Sequence, residues 1–264
     1  MTLRFCSFSS GSSGNCYLVK TDKTALLVDA GISGKKIWNG LEKTETPIEN
    51  LEGILITHEH SDHTKSIRVL AKKERKLRFF ANENTWNQLK EAGSPEQRQI
   101  FKTGDSFLIG DIQIKTFSVS HDAVDPVGFS FSKGERQLCI VTDTGYICED
   151  LLNEMRTANL LVLEANHDVD MLKIGKYPWF LKQRVLGNQG HLSNESAAKT
   201  LVRLLKEEKQ KRQVLLAHLS RGNNFPQMAY QTVKNILEEE DYYIGKDIEL
   251  NLLLRDQLSQ VYDV

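Results

Sequence analysis

Residues 57–64 read THEHSDHT, and they overlap the end of the apolar run GILIT (53–57). Three histidines and an aspartate fall within six positions, from His58 to His63. A fold that carries this stretch has to end a buried, β-branched strand in a turn where metal-grade side chains converge. In an extended segment, residues i and i+2 point the same way. His58 and His60 can therefore grip one ion together. Asp62 and His63 lie past a turn, where a helix is expected from Ser61, as N-cap, to about Arg75. They face elsewhere and suit a second ion nearby. A loop whose polar residues simply face water explains a lone histidine well. It explains His-x-His-x-Asp-His behind a buried strand poorly.

Other ligand-type residues stand in similar places. His121 follows the run IKTFSVS, Asp143 follows CIVT and His218 follows VLLA. Strand ends on one edge of a sheet converge in space, and open α/β architectures place their sites there. A carboxylate such as Asp143 can bridge two cations, and two-metal hydrolytic centres hold their ions roughly 3.5–4 Å apart.

The rest of the chain reads as two strand-rich blocks, with helices after the strands of each. Strands are expected at LRFCSF, CYLV, ALLVDA, GILIT and LRFFA, with short ones within 98–118. PVGFSFS and RQLCIVTD form a hairpin about Lys133–Gly134, and NLLVLEA, QVLLAH and IELNLLL follow. Helices are expected over 33–44, 83–92, 147–155, 193–209 and 226–240, with a looser stretch over 168–190. Two sheets packed face to face with helices outside satisfy this pattern, while periodicity leaves the strand order open.

At 264 residues and 40% hydrophobic content, the chain can bury the core of one large domain, or at most two small ones. The formal net charge of −1 means that any nucleic-acid binding must rest on a local basic patch. No apolar stretch follows a basic one near Met1, and no run of about 18 apolar residues occurs, so neither a secretory leader nor a membrane span is expected. Cys6, Cys16, Cys139 and Cys148 make no Cys-x-x-Cys pair and read as reduced thiols of a cytoplasmic protein.

HEHSDH resembles the HxHxDH signature of the metallo-β-lactamase superfamily, and the family's other elements follow in order. These are Asp29 in LLVDAG, His121 in VSHD, Asp143 in VTDTGY and His218 in LLAHLS. The resemblance runs from about residue 4 to about residue 222. It implies an αββα sandwich, two mixed sheets flanked by helices, with a dinuclear centre. LEANHD (163–168), GHLSNESAAKTL (190–201) and LLAHLSRGN (215–223) resemble the distal motifs of ribonuclease Z-type nucleases. His218 follows Asp143 by 75 positions, which leaves no room for a β-CASP insertion, so residues 1–264 are expected to form a single domain. SFSSGSSGNCYLV together with YPWFLKQRVLGNQGHLSN is most similar to the YycJ/WalJ (VicX) family, bacterial cytoplasmic proteins described as 5′→3′ DNA exonucleases.

The resemblance implies a ligand set. His58, His60 and His121 hold one ion, Asp62, His63 and His218 the other, and Asp143 bridges. The ions would be two divalent metals, Zn²⁺ on the histidines or Mn²⁺ on the oxygen ligands, with a hydroxide between them as nucleophile. Asp62 could also orient that hydroxide. His191 is the expected general acid for the leaving group, with Glu164 holding its tautomer; a helix-cap pair without catalysis is the bland alternative. Asp29 either orients a ligand histidine or caps a strand end. His167 either lines the cleft or serves a loop.

Three segments bear on substrate grip. Lys65, Arg68, Lys72 and Lys76 form either a solvated face or a phosphate track. Residues 173–185 interleave Lys173, Lys176, Lys182 and Arg184 with Tyr177, Trp179 and Phe180, which either stack bases or pack into the core. SSGSSGN (9–15) either seats a terminal phosphate or is a flexible turn. The expected substrate is nucleic acid, DNA by resemblance, cleaved at phosphodiester bonds. The alternative is a small-molecule (cyclic) phosphodiesterase or another hydrolase of this fold.

Overall fold

The computed structural model describes residues 2–89, 92–208 and 210–264. Among the described residues, two seven-stranded sheets pack face to face. The first contains β1 (Arg4–Ser9), β2 (Cys16–Lys20), β3 (Ala25–Val28), β4 (Leu51–Leu55), β5 (Phe79–Asn82) and β6 (Arg98–Phe101). The second contains β7 (Ser106–Ile109), β8 (Ile112–Ser118), β9 (Val127–Lys133), β10 (Arg136–Val141), β11 (Leu160–Glu164), β12 (Arg212–Ala217) and β13 (Ile248–Leu252). A last short strand, β14 (Tyr262–Asp263), pairs with β1 and closes the edge of the first sheet. The spatial orders are β14-β1-β2-β3-β4-β5-β6 and β13-β12-β11-β10-β9-β8-β7.

Helices cover both outer faces. α1 (Gly34–Lys43), α2 (Ser61–Thr64), α3 (Ile67–Lys73) and α4 (Glu83–Gln88) belong to the first half. α5 (Glu149–Met155), α6 (Val169–Ile174), α7 (Trp179–Leu186), α8 (Asn194–Glu207) and α9 (Pro226–Glu239) belong to the second. Period-2 alternation assigns each strand residue to a layer. In β3, Leu26 and Val28 face the core between the sheets, while Ala25 and Leu27 face α1 and α3. In β10, Leu138 and Ile140 face that same inter-sheet core, while Cys139 and Val141 face α5 and α8. Both faces are buried, which is why these strands read as unbroken apolar runs. This is the expected αββα sandwich.

β3 and β4 run parallel, as do β10, β11 and β12. β8 reaches β10 through two antiparallel pairings and so shares its direction. The carboxyl ends of these strands therefore open on one edge, and the chain leaves them into Asp29, His58, His121, Asp143 and His218. Asp29 (φ 61°), Asp143 (φ 57°) and His218 (φ 55°) all adopt the left-handed region there. Such backbone conformations cost about 1–3 kcal/mol each and persist only where the surroundings over-determine them.

Several expected elements differ. The helix from Ser61 is broken at Lys65–Ser66, because the Ser66 amide donates to Ala30 O (2.9 Å) and its hydroxyl to Ile32 O (2.5 Å). Those bonds tie the chain to the turn after β3 and end the first helical segment after one turn. His60, not Ser61, occupies the N-cap position, without a side-chain cap bond. Residues 168–190 are not loose: they form α6 and α7, separated by Gly175–Pro178, and both helices are too short to register as periodicity. α4 ends at Gln88, and residues 90 and 91 of its expected span lie outside the described residues, as does 209 at the end of α8. Among the described residues no helix is long and apolar enough to cross a membrane.

Candidate metal centre

All seven expected ligand residues meet at the strand-end edge. His58 Nε2 lies 3.1 Å from His60 Nδ1, and the His121 ring lies 5.1 Å from each of the other two rings. Donor atoms of His58, His60 and His121 all fall within 4.8 Å of one another, and so do those of Asp62, His63 and His218. Asp143 stands between the two sets. Its Oδ2 is 3.4 Å from His63 Nε2, and its Oδ1 is 3.9 Å from His121 Nε2 and 3.4 Å from His218 Nδ1.

The far nitrogen of most of these rings already has a partner, which fixes the tautomer that points inward. His63 Nδ1 bonds Asp29 Oδ2 (2.7 Å), His58 Nδ1 meets Thr57 Oγ1 (3.0 Å), and His121 Nδ1 donates to Gly190 O (3.2 Å). His218 Nδ1 donates to Glu164 Oε1 (2.8 Å). Asp29 also accepts from the Thr57 amide (2.9 Å), so it both orients a histidine and caps a strand end. On the inward side, His218 Nε2 and Asp143 Oδ2 are buried, and among the described residues neither has a hydrogen-bond partner. Orphaned polar atoms of this kind are costly unless something binds them. The mixed imidazole and carboxylate donors fit divalent transition ions.

Electrostatics divide the two sets. Burial, reinforced by His63, His121 and His60, pushes His58 well below the usual histidine value, and burial also lowers His121. Burial pushes His63 down too, but Asp143, Asp29 and Asp62 outweigh it and raise it to about 9. His218 is likewise raised well above its ordinary value, burial being overcome by Asp143, Asp62 and Glu164. Asp62 is driven low: burial opposes this, but the neighbouring His218, 3.8 Å away, and His63 prevail.

The Glu164–His191 pair is present, with Nδ1 2.8 Å from Oε1. Burial lowers His191, but the Glu164 carboxylate prevails and raises it. Glu164 is wholly buried at the end of β11, and its other oxygen accepts the Thr144 amide (2.9 Å). His167 sits in the loop after β11, where its carbonyl accepts from the Asn194 amide (2.9 Å) and its buried ring makes no hydrogen bond among the described residues. Lys65, Arg68, Lys72 and Lys76 are all exposed, with Lys76 beyond the end of α3.

Residues 9–15 prove to be a packed turn that buttresses the centre. The Ser10 hydroxyl accepts the His218 amide (2.9 Å), and the Asn15 amide donates to Asp62 O (2.8 Å) while its side chain meets His63 Nε2 (3.1 Å). Gly31 lies directly beneath: a Cβ there would stand 1.6 Å from Asp62 O, so only glycine admits this approach. The composition of residues 9–15 marks a turn, but the bonds of Ser10 and Asn15 to His218 and Asp62 join residues far apart in sequence, and no local pattern announces them.

Comparison with known proteins fits this geometry. The Beta-lactamase superfamily domain model matches residues 24–219. The crystal structure of the metallo-beta-lactamase fold protein YhfI from Bacillus subtilis superposes over 100% of both chains with a TM-score of 0.77, at 15% identity. A two-sheet sandwich with this His/Asp cluster at one edge defines a metal-dependent hydrolase of the metallo-β-lactamase fold, and that fold implies divalent metal ions. The chain is 42% identical over 95% of its length to Exodeoxyribonuclease YycJ of Bacillus anthracis, 95% of which is covered. It is 41% identical over 94% of its length to Exodeoxyribonuclease WalJ of Streptococcus pneumoniae, 93% of which is covered. The chain belongs to this YycJ/WalJ family of the beta-lactamase superfamily.

Proposed function

We propose that the chain is a metal-dependent DNA exonuclease acting 5′→3′ through two divalent ions. His58, His60 and His121 hold one, Asp62, His63 and His218 hold the other, and Asp143 bridges. The single observation that carries a phosphodiesterase reading is the Glu164–His191 hydrogen bond of 2.8 Å beside the cluster. DNA and polarity rest on the likeness to the two exodeoxyribonucleases. Bound ions supply Lewis acidity toward a phosphoryl oxygen and a water acidified toward pKa ~7.

The chain's own residues do the rest. Glu164 fixes His191 Nδ1 as donor, which leaves Nε2 to hold the proton that a departing alkoxide needs. A histidine raised by a carboxylate neighbour keeps that proton near neutral pH. Asp62, kept ionised, would bind an ion and orient the attacking water. His-rich ligation favours Zn²⁺ and the two aspartates admit Mn²⁺. The reading takes residues 1–264 as one catalytic domain without insertion. It places the protein in the reducing cytoplasm, on four cysteines that stay unpaired, with nucleic acid and not membrane as its partner.

The test is a comparison of single-stranded, double-stranded and 5′-phosphorylated DNA with RNA, with Zn²⁺ or Mn²⁺ supplied. Mononucleotides released from the 5′ end of DNA are expected. Cleavage confined to cyclic nucleotides or RNA would overturn the substrate assignment and leave the two-ion centre standing.

A further inference from the structure

A cavity of about 630 Å³ opens beside His121, at the rim of the metal centre. Small-molecule sites fall between about 300 and 1,000 Å³. The end of β8 lines it with Phe117 and Val119, both buried, and Tyr146 lines it with a side chain that is 46% exposed. No step of the two-ion reading uses this ring. Trp179 and Phe180 on α7 are more exposed still, so they do not pack into the core, but neither lines this cavity or the one beside His191.

Tyr146 is held in place by the backbone that carries the bridging aspartate, three positions before it. The Thr144 amide donates to Glu164 Oε2 (2.9 Å), and the Thr144 hydroxyl donates to Tyr146 O (2.9 Å). The Gly145 amide donates to Ser120 O (2.8 Å), next to His121. A Cβ on Gly145 would stand 2.1 Å from Asn188 O, so the turn also lies directly against the chain that leads to His191. A second lining segment is fixed as well: the Val124 amide donates to Glu59 Oε1 (2.9 Å), and Glu59 stands between His58 and His60. A ring on so constrained a turn loses little freedom when something settles against it.

Charge decides what settles there. Lys115, Asp125, Asp150 and Glu154 also line the cavity, and Lys115 is paired with Glu154. The two further carboxylates repel a phosphate track. An uncharged, planar group is admitted, with Tyr146 as its stacking face and Phe117 and Val119 as apolar neighbours. A nucleobase is such a group, and every base has a π-face.

Resting on the nuclease reading above, we infer that Tyr146 stacks a nucleobase next to the scissile phosphate and so seats that nucleotide at the metal centre. Tyr146 positions substrate and takes no part in proton transfer. Stacking of this kind tolerates any base.

The experiment measures kcat/KM of the metal-loaded parent, of Tyr146→Ala and of Tyr146→Phe on two DNAs, with metal content determined for each protein. One DNA has an ordinary 5′ end, and the other lacks the bases of its first two nucleotides. On the ordinary end, Tyr146→Ala is expected to lose about tenfold or more, while Tyr146→Phe, which keeps the ring, stays near the parent. On the abasic end, the parent is expected to fall to the level of Tyr146→Ala, so that the difference between them disappears. Full activity of Tyr146→Ala on the ordinary end would overturn the stack. So would an equal loss on both DNAs, or loss of metal from Tyr146→Ala, either of which would make Tyr146 a prop of the centre. A parent that cleaves neither DNA would overturn the nuclease reading itself, and this inference with it. A parent active on the ordinary end keeps that reading whatever the variants do, so the two failures are distinct.

Discussion

One carboxylate oxygen, Glu164 Oε1, lies 2.8 Å from Nδ1 of His191 and 2.8 Å from Nδ1 of His218. The expected general acid and an expected metal ligand therefore share a single anchor. Glu164→Gln should damage both. Metal affinity is expected to fall about 10–100-fold, as when an outer partner of a ligand histidine is lost. Turnover should fall with it. His191→Ala should instead slow turnover by about 10²–10⁴ with metal content unchanged. Metal analysis beside single-turnover kinetics separates the two; lost metal in the His191 variant would reassign it as a ligand.

Proton release should differ between the two ligand sets. His58 and His121 are held down by burial and stand neutral at pH 7, whereas His63 and His218 are raised by their carboxylates. Loading the Asp62–His63–His218 set must displace protons, so its affinity should rise with pH up to about 9, the value for His63. Calorimetry in buffers of different ionisation enthalpy counts those protons. Equal release for the first and second equivalents would contradict this division.

The same shift fixes a stability profile for the metal-free protein. His63 is raised in the folded state, so its contribution is complete below the unfolded value of ~6.5. It is lost as pH rises through about 9. Thermal melts of chelated protein should show stability declining across that window. A flat profile would mean that His63 is neutral beside Asp29.

Asp143 combines a site role with a left-handed backbone, φ 57°. Asn tolerates that conformation and a β-branched residue does not. Asp143→Asn should therefore fold normally while losing metal. Asp143→Val should lose metal and also about 1–3 kcal/mol of stability, read by urea unfolding of the metal-free proteins. Equal stability of the two variants would remove the strain argument.

Much of the candidate centre could be read from the sequence because His58, His121, Asp143 and His218 each stand within three residues of the end of a buried strand, and the rest of HEHSDH follows His58 directly. An apolar run announces the strand, and a polar residue at its end announces the edge. What could not be read depends on contacts between distant residues. Glu164 meets His218 across 54 positions, and Ser10 meets the His218 amide across 208. Strand order was hidden for the same reason, since hydrophobic alternation gives a strand's faces but not its neighbours. The α6–α7 hairpin escaped because Gly175 and Pro178 cut it into pieces too short for a helical period, and exposure of Trp179 has no local signature.

The central claim is that the clustered histidines and aspartates form the metal-dependent cleaving centre. It is tested most directly by titrating metal into chelator-stripped protein while following hydrolysis of a 5′-labelled single-stranded DNA, with His58→Ala in parallel. The account predicts no hydrolysis without metal, recovery that completes at two equivalents, and a folded but inactive His58→Ala. Full activity of the stripped protein, or of the His58→Ala variant, would contradict it.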